Sequence, residues 1–198
     1  MCAQISEDGG VYVMTPETPF TPSDAVRENK HSVYRMGSYR SKKESRNMEY
    51  KTGSGSYVWN TLPEHIQKYG SAFLNSGGGT LCIGVADSGE ITGVCLRVED
   101  REKVRKLIRQ EFIAFTPSIS DDLYEIEFVP CNRDKYFVIE IHVRAGDPSE
   151  IYSDRHDKMY VKRDGSLQGP LWPRDIVKIV EDKFMKGLIK TRDKKESK

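Results

Sequence analysis

The sequence predicts an α/β (α+β) protein in which a mixed β-sheet is flanked by helices. Short runs rich in β-branched and aromatic residues alternate with two longer stretches whose apolar residues recur at helical spacing. One short run, TLCIGVA, is almost entirely apolar, which is typical of a strand that is buried on both faces. The chain has 198 residues, of which 37% are hydrophobic and 31% are charged, and this composition fits one globular core with tails.

The first half of the chain predicts the order strand, helix, strand, strand, helix. The short strand NMEYK is followed by TGSGS, a turn or mobile loop, and by a helix over Leu62–Asn75 that tolerates Pro63 in its first turn. The apolar residues of this helix share one side: Leu62, Ile66, Tyr69, Phe73 and Leu74. The strands TLCIGVA and ITGVCLRV come next, joined by the turn DSGE, and an amphipathic helix covers Glu99–Phe115.

The second half predicts three strands and a closing helix. LYEIEFVPC and YFVIEIHV both alternate between apolar and polar residues, so each is expected to have one solvent-exposed face, and RDK joins them as a hairpin. MYVKR is a further strand, and DGSLQGP is a turn. The closing helix covers Pro173–Lys190. Its inward side is predicted to consist of Ile176, Ile179, Val180, Phe184 and Leu188.

The two ends of the chain differ in composition from its middle. Residues 1–38 carry paired glycines and several prolines, which predicts an irregular N-terminal arm before a folded domain over 39–190 and a basic tail over 191–198. Val11–Met14, within the arm, is suited to adding a strand to a sheet. The N-terminus lacks the order of a secretion signal and no apolar run has the length of a membrane span. We therefore expect a cytoplasmic protein, with the nucleus as the alternative, and no membrane partner.

Charge is distributed unevenly, although the formal net charge is only +1. Residues 27–51 contain eight Lys and Arg against three Asp and Glu, and residues 183–198 contain seven against two. Residues 85–160 contain eleven basic residues against sixteen acidic ones. Two basic flanks around an acidic middle predict a molecule whose ends can bind the phosphates of a nucleic-acid backbone. For the C-terminal run, the alternative is a solvated tail without such a role.

Three carboxylates are the candidate catalytic and metal-binding residues. Glu44 and Glu49 lie in KKESRNMEYK, and Asp87 follows the strand TLCIGVA, at the kind of strand end where α/β sites gather. Carboxylate oxygens are the ligands that Mg²⁺ or Mn²⁺ prefers, and such an ion promotes phosphodiester cleavage. A spacing of five residues lets Glu44 and Glu49 converge only if the chain bends between them. Surface ion pairs with neighbouring basic residues are the alternative, and the residues alone do not decide between the two.

Basic and aromatic residues around these acids are candidates for contacts with nucleic acid. Lys51 shares the strand face of Glu49, where it could neutralise a scissile phosphate or form an ordinary ion pair. Cations interleaved with tyrosines are typical of binding to single-stranded nucleic acid, and packing at the edge of the core is the alternative for the tyrosines. The candidate RNA-binding residues are Arg35, Tyr39, Arg40, Lys42, Lys43 and Arg46.

Other motifs argue against alternative chemistries. NSGGGT runs from helix to strand and has no Lys, whereas a P-loop runs from strand to helix and requires one, so nucleotide binding is not expected. The glycines instead predict a tight turn that sets the buried strand against the helix, with Asn75 as the cap. The four cysteines are scattered without C-x-x-C, so neither a disulfide framework nor a zinc site is expected, and Cys82 is a core residue.

The motifs ES-x-x-x-E-Y-K, SAFLNSGGGTLCIGVADSGEITGV and MYVKRDGSLQGP, taken together, resemble the Schlafen family. The chain is most similar to Schlafen-like proteins that carry a single AlbA_2-type domain, over about residues 40–182. Larger Schlafens are ribonucleases that act on tRNA and rRNA through three acidic residues, and some Schlafen-like proteins belong to multisubunit nucleases for small-RNA precursors. By position, those acids fall on Glu44, Glu49 and Asp87.

The resemblance implies a metal-dependent endoribonuclease domain for tRNA-like or small-RNA precursor substrates. Mg²⁺ or Mn²⁺ would be held by the three acids, with Lys51 at the phosphate. Because larger Schlafens carry two such lobes in tandem and this chain has one, we expect a homo-oligomer or an assembly with related subunits. Ala86 stands where relatives often have a further acid, which lowers the expected metal affinity. The alternative is a non-catalytic RNA-binding or scaffold subunit of an RNA-processing complex.

Overall fold

A computed structural model of the protein describes residues 33–182. Predictions for the arm before residue 33, for Val11–Met14 and for the tail lie outside the described residues, as do those for the closing helix beyond residue 182, including Phe184 and Leu188. Within 33–182, no helix combines the length and the apolarity needed to cross a bilayer.

One mixed sheet of five strands organises the fold. Its strands are β1 (Met48–Lys51), β2 (Gly79–Ile83), β3 (Val94–Cys95), β4 (Tyr124–Pro130) and β5 (Tyr136–Val143). β1 is parallel to β2, while β5 is antiparallel to β2, β3 and β4. Strand β1 therefore lies at one edge of the sheet and β5 in its interior. The antiparallel pairing of β4 with β5 confirms the predicted hairpin.

Helices and a small hairpin complete the described part. The helices are α1 (Tyr57–Asn60), α2 (Leu62–Leu74), α3 (Val98–Ile113) and α4, which begins at residue 173 and continues to residue 182, the last one described. A second, two-stranded sheet consists of β6 (Val161–Arg163) and β7 (Ser166–Gln168). The predicted α/β class and the order of its main elements are confirmed.

The two faces of the large sheet are covered differently. One face packs against α2 and α3 in an apolar core that includes Leu81, Ile139 and Ile141, and we call it the helix face. Because side chains alternate along a strand, Tyr50, Cys82 and Val138 point to the opposite face. Tyr34 and Met36 cover part of this second face, although both precede the boundary predicted at residue 39.

The predicted wet face of YFVIEIHV is wrong, because all residues from Val138 to Val143 are buried. The polar residues of this strand, Glu140 and His142, point to the second face, where Tyr34 and Arg40 pack onto Glu140. Alternation in the sequence marks which residues share a face, but it does not reveal that a distant segment covers that face.

Three further expectations need correction. ITGVCLRV forms a strand only at Val94–Cys95, because Gly93 adopts a φ of +65° and interrupts the extended run. DGSLQGP is not a simple turn: Asp164 and Gly165, both at positive φ, form the turn of the β6–β7 hairpin, as Asp-Gly pairs commonly do. Val180, predicted to point inward from α4, is 49% exposed, whereas Ile179 is buried.

The glycine turn between α2 and β2 is as tight as predicted. Gly78 adopts a φ of +76°, and a Cβ atom there would lie 2.8 Å from the carbonyl oxygen of Val143. Gly79 brings its backbone against the ring of Phe73, which a Cβ atom would approach to 2.3 Å. Both glycines therefore allow β2 to enter the sheet directly beneath the end of α2.

We expect Gly78→Ala to destabilise the protein more than Gly37→Ala does. Both glycines have a φ of +76°, but nothing lies within 4 Å of a Cβ atom at Gly37. The positive φ alone costs about 1 kcal/mol, and overpacking at Gly78 adds about 1–3 kcal/mol. Urea unfolding of the two variants measures the difference, and equal losses would contradict the close approach at Gly78.

Candidate functional site

The chain bends immediately before β1, as convergence of Glu44 and Glu49 requires. The amide of Ser45 donates to the carbonyl of Met48 at 3.0 Å, and the amide of Met48 donates back at 3.3 Å. This reversal turns Glu44 toward the strand, where its Oε1 accepts a hydrogen bond of 2.9 Å from the amide of Tyr50. Glu44 thus takes the place of a strand partner at the outer edge of β1.

The side chain of Glu49 lies on the helix face between two lysines. Its Oε1 is 2.7 Å from Nζ of Lys51, and its Oε2 is 2.5 Å from Nζ of Lys162. Lys162 is only 1% exposed and also donates to the carbonyl of Gly165 at 2.9 Å. Although burial opposes ionisation, hydrogen bonds from Lys162 and Lys51 hold the pKa of Glu49 below its ordinary value. The three side chains form a buried charge cluster, which we call the Glu49 cluster.

Aromatic side chains from the helices border the Glu49 cluster. The ammonium groups of Lys51 and Lys162 lie 5.3 Å and 5.8 Å from the ring centroid of Tyr69, within the range of cation–π attraction. Burial, together with a hydrogen bond to Glu49, raises the pKa of Tyr69. Nδ1 of His65 is 2.7 Å from the hydroxyl of Tyr57, and burial, followed by the charge of Lys51, lowers the pKa of His65.

The end of α2 positions Lys162 for its contact with Glu49. Asn75 accepts a bond of 2.7 Å from the amide of Tyr152 and donates to the carbonyls of Tyr152 and Tyr160 at 2.7 Å and 3.2 Å. The hydroxyl of Ser76 accepts from the amide of Lys162 at 2.9 Å. Asn75, which ends the helix as predicted, therefore also fastens the segment that leads into β6.

The three predicted acids are not equivalent in their surroundings. Glu44 and Glu49 both act electrostatically on Tyr69, which places them in one neighbourhood. Asp87 lies in the exposed turn after β2, whose Gly89 carbonyl accepts a hydrogen bond of 2.9 Å from the amide of Arg40. Among the described residues, the three acids do not form a group with ligand atoms within 4.8 Å of one another.

The candidate RNA-binding residues divide into two sets. Arg40 is largely buried on the second face, where its Nη1 is 2.9 Å from Oε1 of Glu140 and its guanidinium lies over the rings of Tyr34 and Tyr50. The remaining candidates all lie at the surface: Arg35, Tyr39, Lys42, Lys43 and Arg46. Contact of any of them with RNA stays a prediction, and the exposed set is better placed for it than Arg40.

Sequence reasoning missed Lys162, His65 and Tyr69 as members of the site. Lys162 is the central basic residue of MYVKR, but a lysine in a short strand gives no sign of being buried. Tyr69 falls on the predicted apolar side of α2, and its hydroxyl reaches the edge of that core. The one available signal is that His65 and Tyr69, both with polar ring atoms, are four residues apart and therefore neighbours on the surface of α2.

We expect Glu49→Gln to reduce the free energy of unfolding by about 3 kcal/mol, because it leaves the buried ammonium of Lys162 without its carboxylate. Adding Lys162→Met should restore part of that loss, because the double variant buries no uncompensated charge. Chemical denaturation of the single and double variants measures this coupling.

Glu64→Gln is the matched control, because Glu64 pairs with Lys68 at the same 2.5 Å but at the surface. Additive losses in the double variant would contradict the coupling.

The pKa of Glu49 also predicts how stability depends on pH. Because the pKa in the folded protein is lower than the 4.5 of an unperturbed glutamate, the ionised side chain stabilises the fold fully above pH 4.5. This contribution is lost as the pH falls through the lowered pKa. The difference in unfolding free energy between the wild type and Glu49→Gln should therefore shrink in acid, and a difference that is independent of pH would contradict the assignment.

Comparison with known proteins assigns the chain to a family. The family model described as Schlafen, AlbA_2 matches residues 44–171, which include Glu44, Glu49, Asp87 and Lys162. Among solved structures, the chain is similar to the DIP2311 protein from Corynebacterium diphtheriae at 21% identity and a TM-score of 0.41, over 67% of this chain and 23% of that chain. This chain thus spans about a quarter of the length of that protein. Because the family match extends over more than half of its residues, the chain belongs to the Schlafen AlbA_2 family.

Proposed function

We propose that the chain is a metal-dependent endoribonuclease domain. The observation that carries this proposal is the charge arrangement at the edge of β1. There the Glu49 carboxylate lies against Lys51, and the Glu44 carboxylate is held by the backbone of the same strand. Carboxylates beside an ammonium group suit metal-assisted phosphodiester hydrolysis, because this reaction uses an activated water and stabilisation of charge on the phosphate.

The proposed substrates are tRNA-like molecules or small-RNA precursors. The exposed basic side chains of residues 35–46, which we call the basic segment, immediately precede the bend that delivers Glu44 to the site. A basic segment attracts the RNA backbone without regard to sequence, and the exposed ring of Tyr39 offers a surface on which a base can stack. The choice of tRNA-like or precursor RNA rests on the family resemblance.

Mg²⁺ or Mn²⁺ is the proposed cofactor, held by Glu44, Glu49 and Asp87. These are carboxylate ligands of the type that both ions prefer, and Glu44 and Asp87 are exposed. Glu49 already accepts hydrogen bonds from Lys51, Lys162 and Tyr69, and an ionised carboxylate offers about four lone pairs, so about one is left for an ion. When bound, such an ion supplies Lewis acidity toward the phosphate.

The two lysines of the Glu49 cluster have different proposed roles. Lys51 retains some exposure, with 20% of its side chain accessible, so its ammonium group can contact a phosphate oxygen of the substrate. Lys162 is buried and fixed by Ser76 and Gly165, so it orients the Glu49 carboxylate and keeps it ionised. His65 is kept neutral by its lowered pKa and contributes no positive charge toward the phosphate.

The proposed partners besides RNA are further copies of this chain or related Schlafen-like subunits. The family resemblance is the basis for this proposal, and exposed large apolar side chains are available for contacts between subunits. Examples on the described surface are Trp172, at 68% exposure, and Ile113. Activity should therefore be measured both on the isolated chain and on its assemblies.

A non-catalytic RNA-binding or scaffold subunit is the second candidate function. The observation that favours it is that each Glu49 oxygen contacts a lysine, while the three acids do not converge within 4.8 Å in the described residues. On this alternative the Glu49 cluster stabilises the domain, and the basic segment alone carries the affinity for RNA.

Cleavage of a labelled tRNA in the presence of Mn²⁺ or of EDTA tests the nuclease proposal. We expect Glu44→Gln and Asp87→Asn each to lower the cleavage rate by at least about a hundredfold, with RNA binding unchanged. These exposed positions are preferable to Glu49, because replacement of Glu49 is also expected to destabilise the fold. Asp134→Asn, an exposed acid in the turn between β4 and β5, is the control and should cleave like the wild type.

Wild-type cleavage rates in both test variants would reject the proposed catalytic acids. Metal-independent binding without cleavage, by the isolated chain and by its assemblies alike, would reject the nuclease and support the scaffold.

A further inference from the structure

A second group of metal-ligating side chains lies on the second face of the sheet. Strand register places Glu127 of β4 directly opposite Glu140 of β5, and places Thr80 of β2 directly opposite His142 of β5. Side chains two residues apart on a strand share a face, so Glu140 and His142 point the same way as Glu127. Glu49 occupies the other face of the sheet, so the two groups are separate.

The ligand atoms of Glu127, Glu140 and His142 all lie within 4.8 Å of one another. Nε2 of His142 is 3.5 Å from Oε2 of Glu140 and 3.9 Å from Oε2 of Glu127. His142 is fully buried, and its Nε2 has no hydrogen-bond partner among the described residues. A buried nitrogen without a hydrogen-bond partner lowers the stability of the folded protein. Each such case in a native protein calls for a specific explanation.

The separations fit ligands around a shared ion better than they fit direct hydrogen bonds. An imidazolium N–H that paired with a carboxylate would approach an oxygen to about 2.8 Å. Two ligands bound tetrahedrally to zinc, each at about 2.0–2.1 Å from the metal, are instead about 3.3 Å apart. The observed 3.5 Å and 3.9 Å lie nearer the second value, and the two carboxylate oxygens lie within 4.8 Å of each other. Side-chain adjustments of about 1 Å would therefore bring the three atoms onto one cation.

The surroundings of the group supply the outer contacts that metal sites use. Nδ1 of His142 is 3.0 Å from the hydroxyl of Thr80, which fixes the ring and directs Nε2 toward the carboxylates. Oε1 of Glu140 accepts hydrogen bonds from Arg40 at 2.9 Å and from the hydroxyl of Tyr34 at 2.5 Å, which orients Oε2 toward His142. The Glu127 side chain is 27% exposed, so an ion can enter from that side.

We propose that Glu127, Glu140 and His142 bind one divalent transition-metal ion, with zinc as the best fit. One imidazole with two carboxylates is a ligand set that zinc accepts, whereas Mg²⁺ and Ca²⁺ favour oxygen ligands alone. The ion would tie β4 to β5 and reinforce the contacts of Tyr34 and Arg40, giving the second face a structural metal centre.

Metal content and affinity of the full chain test this proposal, with Glu127→Gln as the test variant and Glu125→Gln as its control. Glu125 is also an acid of β4 on the same face, two residues away and exposed, but it lies outside the group. We expect the wild type and Glu125→Gln to bind one zinc ion per chain and Glu127→Gln to bind at least about tenfold more weakly. In thermal melts, added zinc should raise the melting temperature of the wild type and of Glu125→Gln more than that of Glu127→Gln.

Cobalt substitution gives a second readout, because Co²⁺ in a tetrahedral site absorbs in the visible range. The wild type should develop this absorption and Glu127→Gln should not. Thr80→Val, which removes the hydroxyl beside Nδ1 at nearly constant volume, should weaken the affinity about tenfold through loss of ring orientation. Equal affinity in Glu127→Gln and Glu125→Gln would overturn the proposal. A wild type that stays metal-free in excess zinc would overturn it as well.

Discussion

The buried ammonium group of Lys162 is the constraint on which the site depends. A charged side chain at 1% exposure is tolerated only beside an opposite charge and further hydrogen bonds, and Glu49 and the Gly165 carbonyl provide them. This pairing joins the β6–β7 hairpin, late in the chain, to the edge strand β1, early in it. The same contact therefore fixes both the packing of the hairpin and the orientation of the Glu49 carboxylate.

The turn after α2 makes that contact possible. Asn75 and Ser76 hold the segment that leads into β6, while Asn47 donates to the carbonyls of Gly77 and Gly78 at 3.3 Å and 2.9 Å. One short turn thus fastens the start of β1 and the start of β6 together. The motif SAFLNSGGG is explained by this geometry, because each of its polar side chains serves a backbone contact and none of them needs to bind a nucleotide.

The sequence was sufficient for elements whose structure depends on local patterns. Helical spacing located α2 and α3, the apolar run located β2, and the need for a bend between Glu44 and Glu49 is met by the turn at Ser45–Met48. It was insufficient for side chains whose burial depends on contacts with distant segments of the chain. The burial of Glu140 depends on Tyr34 and Arg40, a hundred or more residues earlier, and the burial of Lys162 depends on Glu49. Neither partner can be read from spacing, because no periodicity relates them.

The unequal burial of the two lysines bears on the proposed chemistry. An approaching phosphate competes with Glu49 for whichever ammonium group can turn toward solvent, and only Lys51 retains exposure on that side. Both ammonium groups also donate to a backbone carbonyl, Lys51 to Tyr50 at 2.7 Å and Lys162 to Gly165 at 2.9 Å. Burial therefore makes the difference, because Lys162 is only 1% exposed and cannot reach a phosphate in solvent. Transfer of Lys51 from carboxylate to phosphate would leave Glu49 with one remaining lysine and a lone pair turned toward the substrate. On the proposed function, the carboxylate would then become available as a metal ligand only when an RNA backbone is present, while the buried pair of Glu49 with Lys162 is kept.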